Sequence, residues 1–169
     1  REESLDQIKK FMKNTAIPVE VFVHGALCFA YSGQCLFSSF VSGNRSANRG
    51  MCSQPCRMIY NKKYPLSMKD LCVVDRIPEL IEAKITSFKI EGRLRSASYV
   101  AAATRLYRKA IDSYYEGNFK VDLELFEDLK LAFNRDFTEG YMFESTDLRS
   151  KDNSSNQGIY MGVVLPNQK

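Results

Sequence analysis

The sequence predicts an α/β fold. Two short runs rich in β-branched and apolar residues, 19–24 and 85–90, alternate with segments carrying the periodicity of amphipathic helices, which gives the strand, helix, strand, helix order of that class. Composition agrees. At 169 residues, 44% hydrophobic and 26% charged, the chain has the balance of a globular domain that buries roughly two thirds of its unfolded surface without a disulfide framework. Collagen-like and disordered classes are excluded, and no run of about 18 apolar residues is present to span a membrane as a helix.

Leu5, Ile8, Phe11 and Met12 recur at helical spacing over 2–13, with acids first and lysines last, as the helix dipole favours. Pro18 ends the connection, Val19 to His24 reads as a strand, and Gly25 closes it. The stretch 26–42 is apolar but interrupted by Gly33 and carries no clear period. Gly, Asn, Ser and Arg dominate 43–57, the composition of a loop. One or two short helical pieces are expected over 70–84, with Pro78 at a helix start, and Ile85 to Ile90 reads as the second strand. A long helix over 96–116 would bury Val100, Ala103, Tyr107, Ala110 or Ile111, and Tyr114, and Gly117 would stop it. A further helix is expected over 122–133. Beyond it the composition turns to Gly, Ser and Asn around a strand at 158–165, suggesting a domain boundary between 143 and 157. The opening Arg1-Glu2-Glu3-Ser4 is neither an initiator methionine nor a signal peptide, and two strands make no sheet alone, so a fragment of a longer protein is expected.

The net charge of +4 is unevenly placed. Six Lys/Arg against Asp70 give +5 over 41–70, and six against Glu91 give +5 over 87–109, so the remainder sums to −6. Such concentrations attract phosphates, nucleic acid or carboxylates, although a solvated face has the same composition.

Five cysteines, Cys28, Cys35, Cys52, Cys56 and Cys72, follow the spacing C-x6-C-x16-C-x3-C-x15-C. An odd number without an export signal argues for reduced thiols. Zinc ribbons want two C-x2-C pairs, which are missing; a four-iron cluster tolerates irregular spacing because its ligands converge from separate loops. Inert burial is the competing reading, strong for Cys72 in its apolar run and weak for Cys52 and Cys56 beside Gly, Gln, Pro and Arg. His24, the single histidine, would be the only base for a Cys–His pair. Phosphate-loop, HExxH and GxSxG motifs are absent.

The run Glu20-Val21-Phe22-Val23-His24-Gly25-Ala26-Leu27-Cys28, then Ser32-Gly33-Gln34-Cys35-Leu36-Phe37-Ser38, resembles the signature of the collagenase-like peptidase family of unassigned catalytic type. Asn48 to Arg57, Leu66 to Leu71, Lys89-Ile90-Glu91-Gly92-Arg93 and Tyr99 to Asp112 continue the resemblance in unbroken order from about residue 19 to 117. The resemblance implies a (β/α)8 barrel followed by a small β-rich domain. Residues 1–143 would then be the last strands and helices of the barrel, with the cysteine motif region at 20–93, and 144–169 the linker and start of the second domain. The N-terminal half of the barrel would lie elsewhere in the protein.

The same resemblance implies a 4Fe-4S cluster on Cys28, Cys35 and Cys52, with Cys56, favoured for its polar loop, or Cys72 as fourth ligand; zinc is the less favoured metal. It carries two functional histories: reported collagen degradation, and oxygen-independent hydroxylation of a tRNA uridine, an rRNA cytidine or a ubiquinone precursor. The expected function is an iron–sulfur-dependent RNA hydroxylation factor in the cytoplasm, with tRNA or rRNA as partner. A collagenase-like protease acting on collagen or peptides, and a non-catalytic RNA-binding module, are the alternatives. Under the first reading His24, Glu91 and Arg93 line the barrel mouth as catalytic residues, and Arg45, Arg49 and Arg57 contact the substrate. Tyr60, Tyr64 and Tyr99 would either stack on bases or belong to the core.

Overall fold

The computed structural model describes residues 1–150 and 153–164. Helix α1 (Leu5–Lys13) starts at a reciprocal cap: Ser4 Oγ accepts from the Gln7 N–H, and the Gln7 side chain accepts from the Ser4 N–H. Its buried residues are Leu5 and Ile8. Strand β1 (Glu20–Ala26) is central. On one side it pairs in parallel with β3 (Ser87–Ile90), and on the other antiparallel with the three-residue β2 (Asp70–Cys72). The short β4 (Phe137–Thr138) runs parallel to β2 at the edge, giving the order β3-β1-β2-β4.

The α/β class therefore holds, as an open, mixed four-stranded sheet. A (β/α)8 barrel is a closed, all-parallel ladder. Among the described residues the sheet does not close, and the β1–β2 pair is antiparallel.

Helix α2 (Phe37–Ser42) falls in the stretch that carried no clear period, and α3 (Ile77–Glu82) begins with the expected proline. Helix α4 (Ala97–Tyr115), capped by Ser96, lies against α3 and α5 (Leu123–Ala132), the latter capped by Asp122. Val23, Val73, Val74, Ile77, Leu80, Ala103, Leu106 and Leu129 form the dry centre between them.

Three expectations are corrected. Residues 70–72, read as part of a helical segment, form β2; a three-residue strand buried along its length shows no period, and its pairing with β1 and β4 comes from distant residues. The buried stripe of α4 keeps the expected Ala103, Tyr107 and Ala110 but adds Tyr99, Leu106 and Ser113, whereas Val100 is 43% exposed and Tyr114 half-buried. Residues 158–164 form no strand, and Leu165 lies outside the described residues. Residues 145–150 instead run back along the start of β2, where the Lys69 N–H donates to the Leu148 carbonyl and the Ser150 N–H to that of Ser67. Among the described residues no helix is long and apolar enough to cross a membrane.

Candidate functional site

Beyond the C-terminal end of β1, the chain segments around 27–37, 47–57 and 91–95 surround a cavity of about 780 Å³. Short polar contacts hold these loops. The Cys35 N–H donates to Asn48 Oδ1 at 3.1 Å. Ser38 on α2 receives the Ser53 N–H at 2.8 Å, and Ser42 donates to Ser53 Oγ at 2.8 Å, which fixes the neighbour of Cys52. Gln54 takes a left-handed φ of 55° and donates its N–H to Cys52 Sγ at 3.2 Å. Pro55 then opens a single turn carrying Cys56 and Arg57.

Cys28, Cys35, Cys52 and Cys56 all line this cavity as free thiols. Burial pushes the Cys56 thiol up; the Arg57 charge opposes that, and Cys28 and Cys52 are close enough to add to it. Among the described residues, no three Cys, His, Asp or Glu side chains are already drawn together at ligand spacing. What the cavity does hold is four unpaired thiols from two loops, a donor set of the kind that a cluster or a zinc ion uses. Cys72 differs. It is buried in β2, burial pushes its thiol up to about 11, and the Tyr107 hydroxyl lies 3.8 Å from its sulfur.

His24 is 1% exposed. Burial first, and the charge of Arg95 second, lower its pKa to about 3, so the imidazole is neutral. Its Nδ1 lies 3.4 Å from the Tyr107 hydroxyl, which donates to the Val23 carbonyl at 2.6 Å and accepts the Val73 N–H at 3.1 Å. No cysteine is hydrogen-bonded to His24 among the described residues, so the Cys–His pair conceivable from sequence is not formed.

Glu91 and Arg93 do reach the same cavity. The Glu91 N–H donates to the His24 carbonyl at 2.8 Å, and Glu91 Oε1 accepts the Arg93 N–H at 3.1 Å. Gly25 makes this possible: it sits at φ +111°, and a Cβ there would overlap the Glu91 carbonyl.

The three arginines expected at a substrate separate. Arg45 and Arg49 are exposed and do not line the cavity. Arg57 does, but as a brace: it donates to Ser67 Oγ at 2.9 Å, to the Leu27 carbonyl at 3.0 Å and to the Met68 carbonyl. Tyr99 is a core residue beside His24 and presents no free face for a base, while Tyr60 is half-buried and stacks one face on Phe37. Tyr64 is half-buried.

Asp70, Arg95 and Arg135 belong to the site and were not singled out from sequence. Arg135 donates to Asp70 Oδ1 through Nη2 at 2.5 Å and Nε at 3.2 Å, and Arg95 Nη2 lies 4.0 Å from the same oxygen. Arg95 stacks on Phe133, its guanidinium carbon 3.5 Å from the ring centroid. The available signal was an arginine at the boundary of each of two predicted helices, Arg95 directly before the long helix and Arg135 two residues after the last one.

The fold and site thus define a class: an α/β segment presenting four free thiols and a buried cationic group around one cavity. Residues 1–152 match the model of peptidase family U32, and the chain belongs to that family. It is 43% identical over 164 residues to an uncharacterized protease of Methanocaldococcus jannaschii, covering 85% of this chain and 40% of that protein. It is 38% identical to a tRNA hydroxylation protein of Bacillus subtilis (86% and 39% covered) and 46% identical to a 23S rRNA 5-hydroxycytidine synthase of Escherichia coli (69% and 19% covered). The chain therefore spans two fifths or less of these relatives. No solved structure matches it.

Proposed function

We propose that this chain is the cysteine-bearing part of an RNA hydroxylation factor acting on tRNA or rRNA in the cytoplasm. One observation carries the reading: Cys28, Cys35, Cys52 and Cys56 line a single cavity as free thiols, while the one histidine is buried, neutral and bonded to a tyrosine rather than to a cysteine. That arrangement suits ligation of a group by thiolates and lacks the base that a cysteine peptidase needs to activate its nucleophile. Two relatives named for RNA hydroxylation support the substrate class.

Cys28, Cys35, Cys52 and Cys56 would hold a 4Fe-4S cluster. Such a cluster supplies one-electron transfer, which suits a reaction that turns a base C–H into C–OH with release of two electrons and two protons when water is the oxygen source and an external acceptor takes the electrons. The chain's own residues bind and orient. Glu91, fixed to β1 through its backbone, presents a half-exposed carboxylate at the cavity, and Arg93 beside it donates to the Gly50 carbonyl at 3.3 Å, tying the 91–95 loop to the cysteine loop. In the full-length protein, the parallel neighbours β1 and β3 would be consecutive strands of the family's barrel, with the three-residue β2 paired antiparallel along the last residues of β1.

The test is iron and acid-labile sulfide, with an absorption spectrum, on anaerobically purified full-length protein. The expected result is about four irons per chain, lost on Cys52→Ala, with loss of the hydroxylated nucleoside from RNA of cells carrying the variant. A folded, iron-free wild type that still degrades gelatin in the presence of chelator would replace this reading with a peptidase.

A further inference from the structure

One wall of the cavity holds more positive charge than its neighbours neutralise. Arg57, Arg95 and Arg135 line it together, and among the described residues Asp70 is the carboxylate that forms ion pairs with the last two. Arg135 is 3% exposed, so its charge is poorly solvated. The like charges feel one another: Arg135 and Arg95 both act on Arg57, and Arg135 acts on Arg95. Phe133 keeps the pair in place, with Arg95 at 3.5 Å and Arg135 at 5.3 Å from its ring centroid. Arg57 interacts with Cys56, whereas the partners of Arg95 are Arg135, Asp70, Tyr99 and Glu91. Glu91 is itself engaged by the Arg93 N–H.

A second observation points to a ligand at the same wall. The single proton of the Tyr107 hydroxyl is committed to the Val23 carbonyl, so the contact at 3.4 Å requires the proton on His24 Nδ1. Nε2 is then a bare acceptor. It is buried, has no hydrogen-bond partner among the described residues, and belongs to a side chain that lines the cavity. A buried acceptor without a donor costs stability of its own and marks a position for a donor from outside.

We infer that this wall is a binding subsite for a small molecule carrying an oxyanion next to a hydroxyl or N–H, the oxyanion held by Arg95 and Arg135 and the donor by His24 Nε2. Guanidinium pairs bind carboxylate and phosphate with the same geometry, so the shared chemistry is an oxyanion from either source. Arg135 is 3% exposed, which favours a small ligand over a polymer backbone. The inference is independent of the hydroxylation reading, because binding is read without turnover and on protein with and without iron.

The test uses full-length protein, calorimetric titration with malate or inorganic phosphate, and chloride at equal ionic strength as control. Both probes carry an oxyanion and an O–H. Expected is saturable binding of at least one, identifying the carboxylate or the phosphate source, and weakening of about 10-fold or more in Arg95→Gln with none in Arg105→Gln on the exposed face of α4. A measurement on wild type guards against a variant that fails to fold: phenylglyoxal labelling of Arg95, mapped by mass spectrometry, is slowed by the bound probe. Binding no better than chloride, undiminished binding by Arg95→Gln, or protection of Arg95 by an oligoribonucleotide alone would overturn the subsite.

Discussion

At the scale of single residues, burial separates side chains that look alike in the sequence. Cys72 lies in the apolar run Leu71-Cys72-Val73-Val74, and burial raises its thiol pKa to about 11, which disfavours the thiolate a metal needs. Cys72→Ala is therefore expected to keep the iron content of the wild type while lowering unfolding stability by about 1–2 kcal/mol for the lost packing; an iron-free Cys72→Ala protein with wild-type stability would make it the fourth ligand instead. His24 gives a pH dependence. Its folded pKa of about 3 lies below its ordinary 6.5, so between these values the unfolded chain holds a proton that the folded chain excludes. Its contribution is complete above pH 6.5 and declines as pH falls toward 3, by at most about 1.4 kcal/mol per pH unit. Urea melts from pH 7 to 4 are expected to show a shallower decline for His24→Gln than for wild type, and parallel curves would remove the assignment.

At the scale of elements, the site depends on how closely β3 approaches β1. Gly25 stands where the sequence suggested a strand end, yet β1 continues through it to Ala26, and the parallel partner ends in Glu91 against its backbone. Gly25→Ala would impose a side chain at φ +111° and push Glu91 off the strand. The expected cost is about 2–4 kcal/mol, read as a lower urea midpoint at unchanged slope; a midpoint within experimental error of wild type would show that the approach is not tight. Helices were legible where caps and periodicity coincide. Ser4, Ser96 and Asp122 cap α1, α4 and α5 through their own side-chain oxygens, local chemistry that needs no distant partner. The buried face of α4 was legible in part: Ala103, Tyr107 and Ala110 lie on it as expected, whereas its edge, where Tyr99 is buried and Val100 is not, depends on packing against α3 and α5.

At the scale of the whole molecule, the cavity joins residues from the end of β1, the two cysteine loops, the loop after β3 and Arg135, two residues before β4. From sequence the four thiols were legible as a group through the family resemblance, and Cys52 and Cys56 also through their polar loop. Glu91 and Arg93 were legible because they follow a strand directly. The cationic wall was not. Arg95, Arg135 and Asp70 are far apart in the chain, and each alone is indistinguishable from a solvated surface charge until β2 and β4 pair in parallel at Asp70 and Phe137. The sequence by itself determined the α/β class, the capped helices, the family and the thiols, since all of these depend on local pattern or contiguous motif. Only the tertiary structure decided which arginines face the cavity, that His24 is neutral and without a thiol partner, and that the sheet is mixed. Those are consequences of long-range pairing and of the desolvation that accompanies it, quantities that no local run of residues encodes.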